Sequence, residues 1–132
     1  MATVLVVEDN PTNMQLSSFL LESADYTVLA ATTAEMALAL AREQKPDLIL
    51  MDIQLPGMDG LQATALLKAD EATRHIPVFA LTALAMKGDE ERIRAAGCDG
   101  YIAKPLDYKA FLSVVKARLA AGPMSDVGGS EP

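Results

Sequence analysis

The sequence predicts an α/β fold, a doubly wound parallel sheet of five strands with helices on both faces. Three observations lead there. The apolar runs Val4 to Val7, Leu48 to Met51 and Val78 to Leu81 are short and end at polar residues, as strands buried on both faces do. Segments with apolar residues at helical spacing separate them, so strand and helix alternate along the chain. The polar residues at the strand ends are also chemically related, and in a parallel sheet all such ends share one rim, where ligands bind.

The first strand, Val4-Leu5-Val6-Val7, stops at Glu8-Asp9. Asn10 followed by Pro11 reads as a helix N-cap with proline at the first helical position. Leu16, Phe19 and Leu20 then recur at helical spacing. Thr27 to Ala30 is the second strand. Thr32 with Glu35 forms a capping pair for a second helix, whose inward stripe is Ala34, Ala37, Leu38 and Ala41. The third strand ends in Asp52 and is followed by a loop built from Pro56, Gly57 and Gly60. Asp59 with Gln62 caps a third helix running through Leu61, Leu66 and Leu67.

Residues 70–75 form a polar connection into the fourth strand, Val78 to Leu81, which ends at Thr82. A fourth helix is expected from about Met86 to Ala96, with Gly97 as a left-handed cap. Tyr101-Ile102 is a short fifth strand ending before Lys104-Pro105. Asp107 caps the last helix, which turns Phe111, Leu112, Val115 and Leu119 inward. Right-handed crossovers restrict the topology, and the flavodoxin-like (βα)5 order 2-1-3-4-5 is the known five-strand arrangement expected here.

The 132 residues suit one domain, expected over residues 1–121, with an aperiodic and disordered tail at 122–132. A net charge of -7 argues against direct nucleic-acid binding. Cys98 is the single cysteine, which leaves no disulfide framework or cysteine-rich metal site. No secretory signal precedes the first strand and no apolar run approaches the ~20 residues that span a bilayer. The expected location is the cytoplasm, without membrane insertion.

Listing the strand ends together exposes the chemistry. Glu8 and Asp9, Asp52, Thr82 and Lys104 converge on one rim, bringing together three carboxylates, a hydroxyl and an ammonium. Crowded carboxylates repel and raise each other's pKa. A hard divalent cation relieves that, and an oxygen-rich set that leaves room for water suits Mg²⁺. A metal, a lysine and a carboxylate together can receive a phosphoryl group, with Asp52 as the nucleophile.

Glu8-Asp9, Asp52 in LILMDIQLPGMDG, Thr82 in ALTA, Tyr101 and Lys104-Pro105 together make the sequence resemble the receiver domains of two-component response regulators, over residues 3–121. The resemblance implies that Asp52 accepts phosphate from a sensor histidine kinase or histidine phosphotransfer protein. Asp9, Asp52 and the Gln54 carbonyl would hold Mg²⁺, with Glu8 assisting through water. Thr82 and Lys104 would bind the phosphoryl oxygens, and Lys104-Pro105 would be a cis peptide. Such a protein is a signalling switch and not a turnover enzyme. With only a short tail after the receiver, output is expected through a protein target on the face of the fourth helix, fifth strand and fifth helix. Lys87, Tyr101, Pro105 and Tyr108 belong to that face, and Tyr101 is expected to pass from exposed to buried on phosphorylation. Many family members carry Asp-Asp where this chain has Glu8-Asp9. Single-domain regulators of the chemotaxis or cell-division type are the nearest in character.

Rival readings fit less well. A haloacid-dehalogenase-like phosphatase would need a second aspartate two residues after the nucleophile, where this chain has Gln54. A dinucleotide-binding domain needs glycines after the first strand, where Glu8-Asp9-Asn10-Pro11 would repel a pyrophosphate. A receiver-like module that takes no phosphate would not need the complete acceptor set. His75 reads as a solvated loop residue, Cys98 as a small buried residue and the scattered methionines as core filling. Lys87, Asp89, Glu90, Glu91 and Arg92 read first as a solvated helix face.

Overall fold

In the computed structural model, which describes residues 2–83, 87–104 and 107–121, strand and helix alternate as the sequence pattern requires. The strands are β1 (Thr3–Val7), β2 (Thr27–Ala31), β3 (Leu48–Asp52), β4 (Val78–Thr82) and β5 (Gly100–Ala103). The helices are α1 (Pro11–Ser23), α2 (Ala34–Gln44), α3 (Gly60–Ala69), α4 (Lys87–Ala95) and α5 (Tyr108–Ala120). All strand pairings are parallel, in the order β2-β1-β3-β4-β5. Pro105, the Lys104–Pro105 peptide, the expected helix start at Met86, the Lys87 side chain and the tail 122–132 lie outside the described residues.

The continuous apolar runs are explained by cores on both faces of the sheet. Side chains alternate along each strand. Val4, Val6, Leu48, Leu50, Leu81 and Ile102 pack with Leu20 and Leu21 of α1 and with Phe111 and Val115 of α5. Leu5, Val7, Ile49, Met51, Val78 and Ala80 pack with Ala34, Ala37 and Ala41 of α2, Ala63 and Leu67 of α3 and Ile93 of α4. Burying one such Val, Leu or Ile side chain is worth about 1.5–3 kcal/mol. β3 is buried at all five positions, so the strand that carries Asp52 is covered on both faces.

The caps explain where most helices begin. The Asn10 side chain accepts from the Asn13 amide and Pro11 opens α1. Asp59 and Gln62 form a complete capping box on α3, and Asp107 accepts from the Lys109 and Ala110 amides of α5. For α2 the cap is Thr33, one residue later than the expected Thr32. Thr33 has the extended backbone a cap needs, and its hydroxyl accepts from the Met36 amide. In α1 the buried stripe is Ser17, Leu20 and Leu21. Leu16 and Phe19 share the helical spacing but lie on the outer flank, and Phe19 is 68% exposed.

Candidate functional site

The site is built from the carboxyl ends of the strands. Beyond β1 the backbone of Glu8 continues the sheet, its amide donating to the Ala31 carbonyl at 3.0 Å. This draws the Glu8 side chain into the rim, where it is buried, while Asp9 turns outward and is exposed. Asp52 ends β3 and is also buried. The following loop is shaped by two glycines. Gly57 has a φ of +75°, the left-handed region that favours glycine. Gly60 begins α3 so close beneath β3 that a Cβ there would lie 2.2 Å from the Asp52 carbonyl oxygen. The Gly60 amide donates to the Ile53 carbonyl, so α3 is docked directly on the backbone that carries Asp52.

Lys104 follows β5, and its amide donates to the Thr82 carbonyl at 2.8 Å, which sets the side chain pointing back along the rim. Its ammonium donates to Glu8 Oε1 and Asp52 Oδ2, each at 3.0 Å. Asp52 Oδ1 accepts from the Gln54 amide at 2.9 Å, and Glu8 Oε2 accepts from the Asn10 amide at 3.3 Å. The Asp52 carboxylate is thus held at both oxygens. Thr82 is buried at the end of β4, and Gln54 is exposed at the mouth of the site.

Glu8, Asp9 and Asp52 each present a carboxylate oxygen within 4.8 Å of the others. Burial, and then the neighbouring Asp52 carboxyl, push the Glu8 carboxyl above its ordinary range, only partly opposed by Lys104. Burial alone would lower the pKa of Lys104, but its bonds to Asp52 and Glu8 outweigh that and raise it. Three acids facing one ammonium leave an excess of negative charge among oxygen ligands, a donor set that fits a hard divalent cation.

The structure therefore brings together Glu8, Asp9, Asp52, Gln54, Thr82 and Lys104. Tyr101 lies on β5 two residues before the strand ends at Ala103. It is half-buried rather than open, its ring packed against the core under α2, α3 and α4, and its hydroxyl donates to Glu90 Oε2 of α4. Tyr108 is exposed at the start of α5. Sequence reading missed the Glu90–Tyr101 bond, because residues eleven apart on different elements leave no periodic signal. It also missed the tight seat of Gly60, whose only trace is a glycine just after a cap. No helix among the described residues is long and apolar enough to cross a membrane.

A parallel (βα)5 sheet whose rim carries an acid cluster, a buried aspartate and a lysine defines a phosphoryl-receiving class of domain. The chain belongs to the response regulator receiver domain family, which matches residues 4–116. It is 53% identical over 117 residues to the polar-differentiation response regulator DivK of Brucella ovis, covering 89% of this chain and 95% of that one. Among solved structures it resembles the receiver domain of the sensor histidine kinase PA1611 of Pseudomonas aeruginosa, which has a magnesium ion coordinated in its active-site cleft. There the identity is 36% and the TM-score 0.84, over 90% of this chain and 98% of that one. The chemotaxis response regulator CheY4 of Vibrio cholerae matches with 27% identity and a TM-score of 0.85, over 89% and 98%. The protein is a two-component signalling receiver.

Proposed function

We propose that this receiver accepts a phosphoryl group on Asp52 from a histidine kinase or histidine phosphotransfer protein, and then signals by binding a protein target in the cytoplasm. The observation that carries this is the Asp52 carboxylate, buried at the end of β3 and held by Lys104 and the Gln54 amide beside two further acids. Asp9, Asp52 and the Gln54 carbonyl would hold Mg²⁺, with Glu8 through water, and the bound ion supplies charge neutralisation for the carboxylates and the incoming phosphoryl oxygens.

The protein's own residues do the rest. The Gln54 amide and the Lys104 ammonium fix the plane of the Asp52 carboxylate, so one oxygen can attack phosphorus in line. An O–P bond forms as the donor's P–N bond breaks. The donor imidazole leaves with the bonding pair and takes up a proton, and the product is an aspartyl phosphate. Lys104 and the Thr82 hydroxyl then face phosphoryl oxygens. Hydrolysis returns Asp52 to its starting form, so the cycle is a switch and not turnover of a substrate.

Phosphorylation adds about -1.5 to -2 charges at Asp52. A charge-assisted hydrogen bond from Thr82 is worth ~1.5–3 kcal/mol. Reversing a 1:99 equilibrium takes roughly 5.5 kcal/mol, so that bond alone gives a partial shift, completed by partner binding. Movement of Thr82 toward the phosphoryl group leaves space that Tyr101 fills by turning inward. The remodelled face of α4, β5 and α5, with Tyr101 and Tyr108, is where the target docks. With acetyl phosphate and Mg²⁺ the protein should gain one hydroxylamine-sensitive phosphate and Asp52→Asn none. Labelling that does not need Mg²⁺, or full labelling of Asp52→Asn, overturns the reading.

A further inference from the structure

Tyr101 pairs in register with Ala80, and Thr82 lies two residues further along β4. Alternation therefore puts Tyr101 and Thr82 on the same face of the sheet, the face covered by α4. From there the Tyr101 phenol reaches outward and donates to Glu90 Oε2. Glu90 is half-buried in the first turns of α4, where the helix dipole favours a charged carboxylate. The phenol thus has a strong acceptor in the outward position. A ring turned in beside Thr82 would have to give that acceptor up.

We propose that Glu90 is a positioning residue of the switch: its carboxylate latches Tyr101 in the outward arrangement and so lowers the population of the active form before phosphorylation. This rests on the inward turn of Tyr101 proposed above. A phosphoryl group at Asp52 must shift an equilibrium that the latch biases against it. The apparent affinity of any Asp52 ligand is reduced by the fraction of competent molecules, so breaking the latch raises that affinity by the same factor. Glu90 also gives α4 a defined contact with β5 in the resting state, so opening the latch frees both halves of the output face together.

The test uses the full chain with Tyr26→Phe and Tyr108→Phe, which leaves Tyr101 as the sole tyrosine among the three. Its ring resonances are followed by NMR while beryllium fluoride, a phosphoryl mimic, is titrated in the presence of Mg²⁺. Glu90→Ala should tighten the apparent affinity for beryllium fluoride about three- to tenfold. It should also move the free-state Tyr101 signal part of the way to its saturated position. Glu90→Gln keeps an oxygen acceptor and should stay within about twofold of the parent. In the chain that retains Tyr26 and Tyr108, Tyr101→Phe should tighten binding like Glu90→Ala, and adding Glu90→Ala to it should give nothing more. If the Tyr101 signal moves on titration of the parent but Glu90→Ala changes neither affinity nor free-state signal, the latch is wrong and the inward turn stands. If the signal stays put in the saturated parent, the inward turn fails and the latch falls with it.

Discussion

Replacing Gly60 by alanine tests how the fold holds the acceptor. The added Cβ would lie 2.2 Å from the Asp52 carbonyl oxygen, 2.7 Å from Ile53 Cα and 2.9 Å from the Asp52 carbonyl carbon. All three are backbone atoms of the strand end, so no side chain can swing away. α3 must lift off β3, which costs about 1–3 kcal/mol of overpacking. Lifting also strains the bond from the Gly60 amide to Ile53, worth about 0.5–1.5 kcal/mol. Alanine's better helix propensity returns about 0.5–1 kcal/mol. The net loss falls between about 0.5 and 4 kcal/mol, centred on about 2 kcal/mol. Two other glycines are internal controls. Nothing lies within 4 Å of a Cβ on Gly88, inside α4, so Gly88→Ala should stabilise by about 0.5–1 kcal/mol. Gly57 also has open space but a φ of +75°, so Gly57→Ala should cost about 1–2 kcal/mol through the backbone alone. Urea unfolding at constant m measures all three. Gly60→Ala should in addition slow labelling by acetyl phosphate, because the displaced backbone carries Asp52. A Gly60→Ala protein within about 0.5 kcal/mol of the parent would refute the reasoning.

Lys104→Met leaves Glu8 and Asp52 without their ammonium and should cost about 2–4 kcal/mol in the absence of Mg²⁺, with much of the loss restored by the ion in a thermal-shift titration. Because the folded-state pKa of Lys104 is raised above 10.5, its contribution in the parent is complete below that pH and fades as pH climbs through the higher folded value. The Met variant should lack that alkaline loss. Asp9→Asn should weaken Mg²⁺ binding and slow phosphorylation more than Glu8→Gln does, since Asp9 is the exposed member of the acid cluster while Glu8 is committed to Lys104 and Asn10. Calorimetric titration showing the reverse order would exchange their roles. Thr82→Ala should still be labelled at Asp52 but lose most of the phosphate-dependent gain in target affinity, read by pull-down. Full retention of that gain would route the signal elsewhere.

What the sequence made legible is what local chemistry encodes. Apolar runs buried on both faces give the strands, and Asn10, Asp59 and Asp107 satisfy helix amides within three residues of themselves. The rim residues are legible together in the sequence because parallel strands share one polarity. The α2 cap slipped from Thr32 to Thr33 because two adjacent threonines offer the same hydroxyl, and only the backbone angle chooses between them. Phe19 fits the period of α1, yet sequence spacing does not say which flank of the stripe faces α5. The burial of Glu8 against the exposure of Asp9 depends on how the chain leaves β1. The Glu90–Tyr101 bond and the Gly60 seat are tertiary contacts, set by how α4 and α3 lie on the sheet.

The central claim is that Asp52 alone carries the phosphoryl group. An aspartyl phosphate is a mixed anhydride, and borohydride reduces it to homoserine at the position that was modified. The protein would be phosphorylated with acetyl phosphate and Mg²⁺, reduced, digested and sequenced by mass spectrometry. Homoserine should appear at position 52 and at no other aspartate. Homoserine at position 9, or an unreduced Asp52 in protein that had taken up phosphate, would contradict the account.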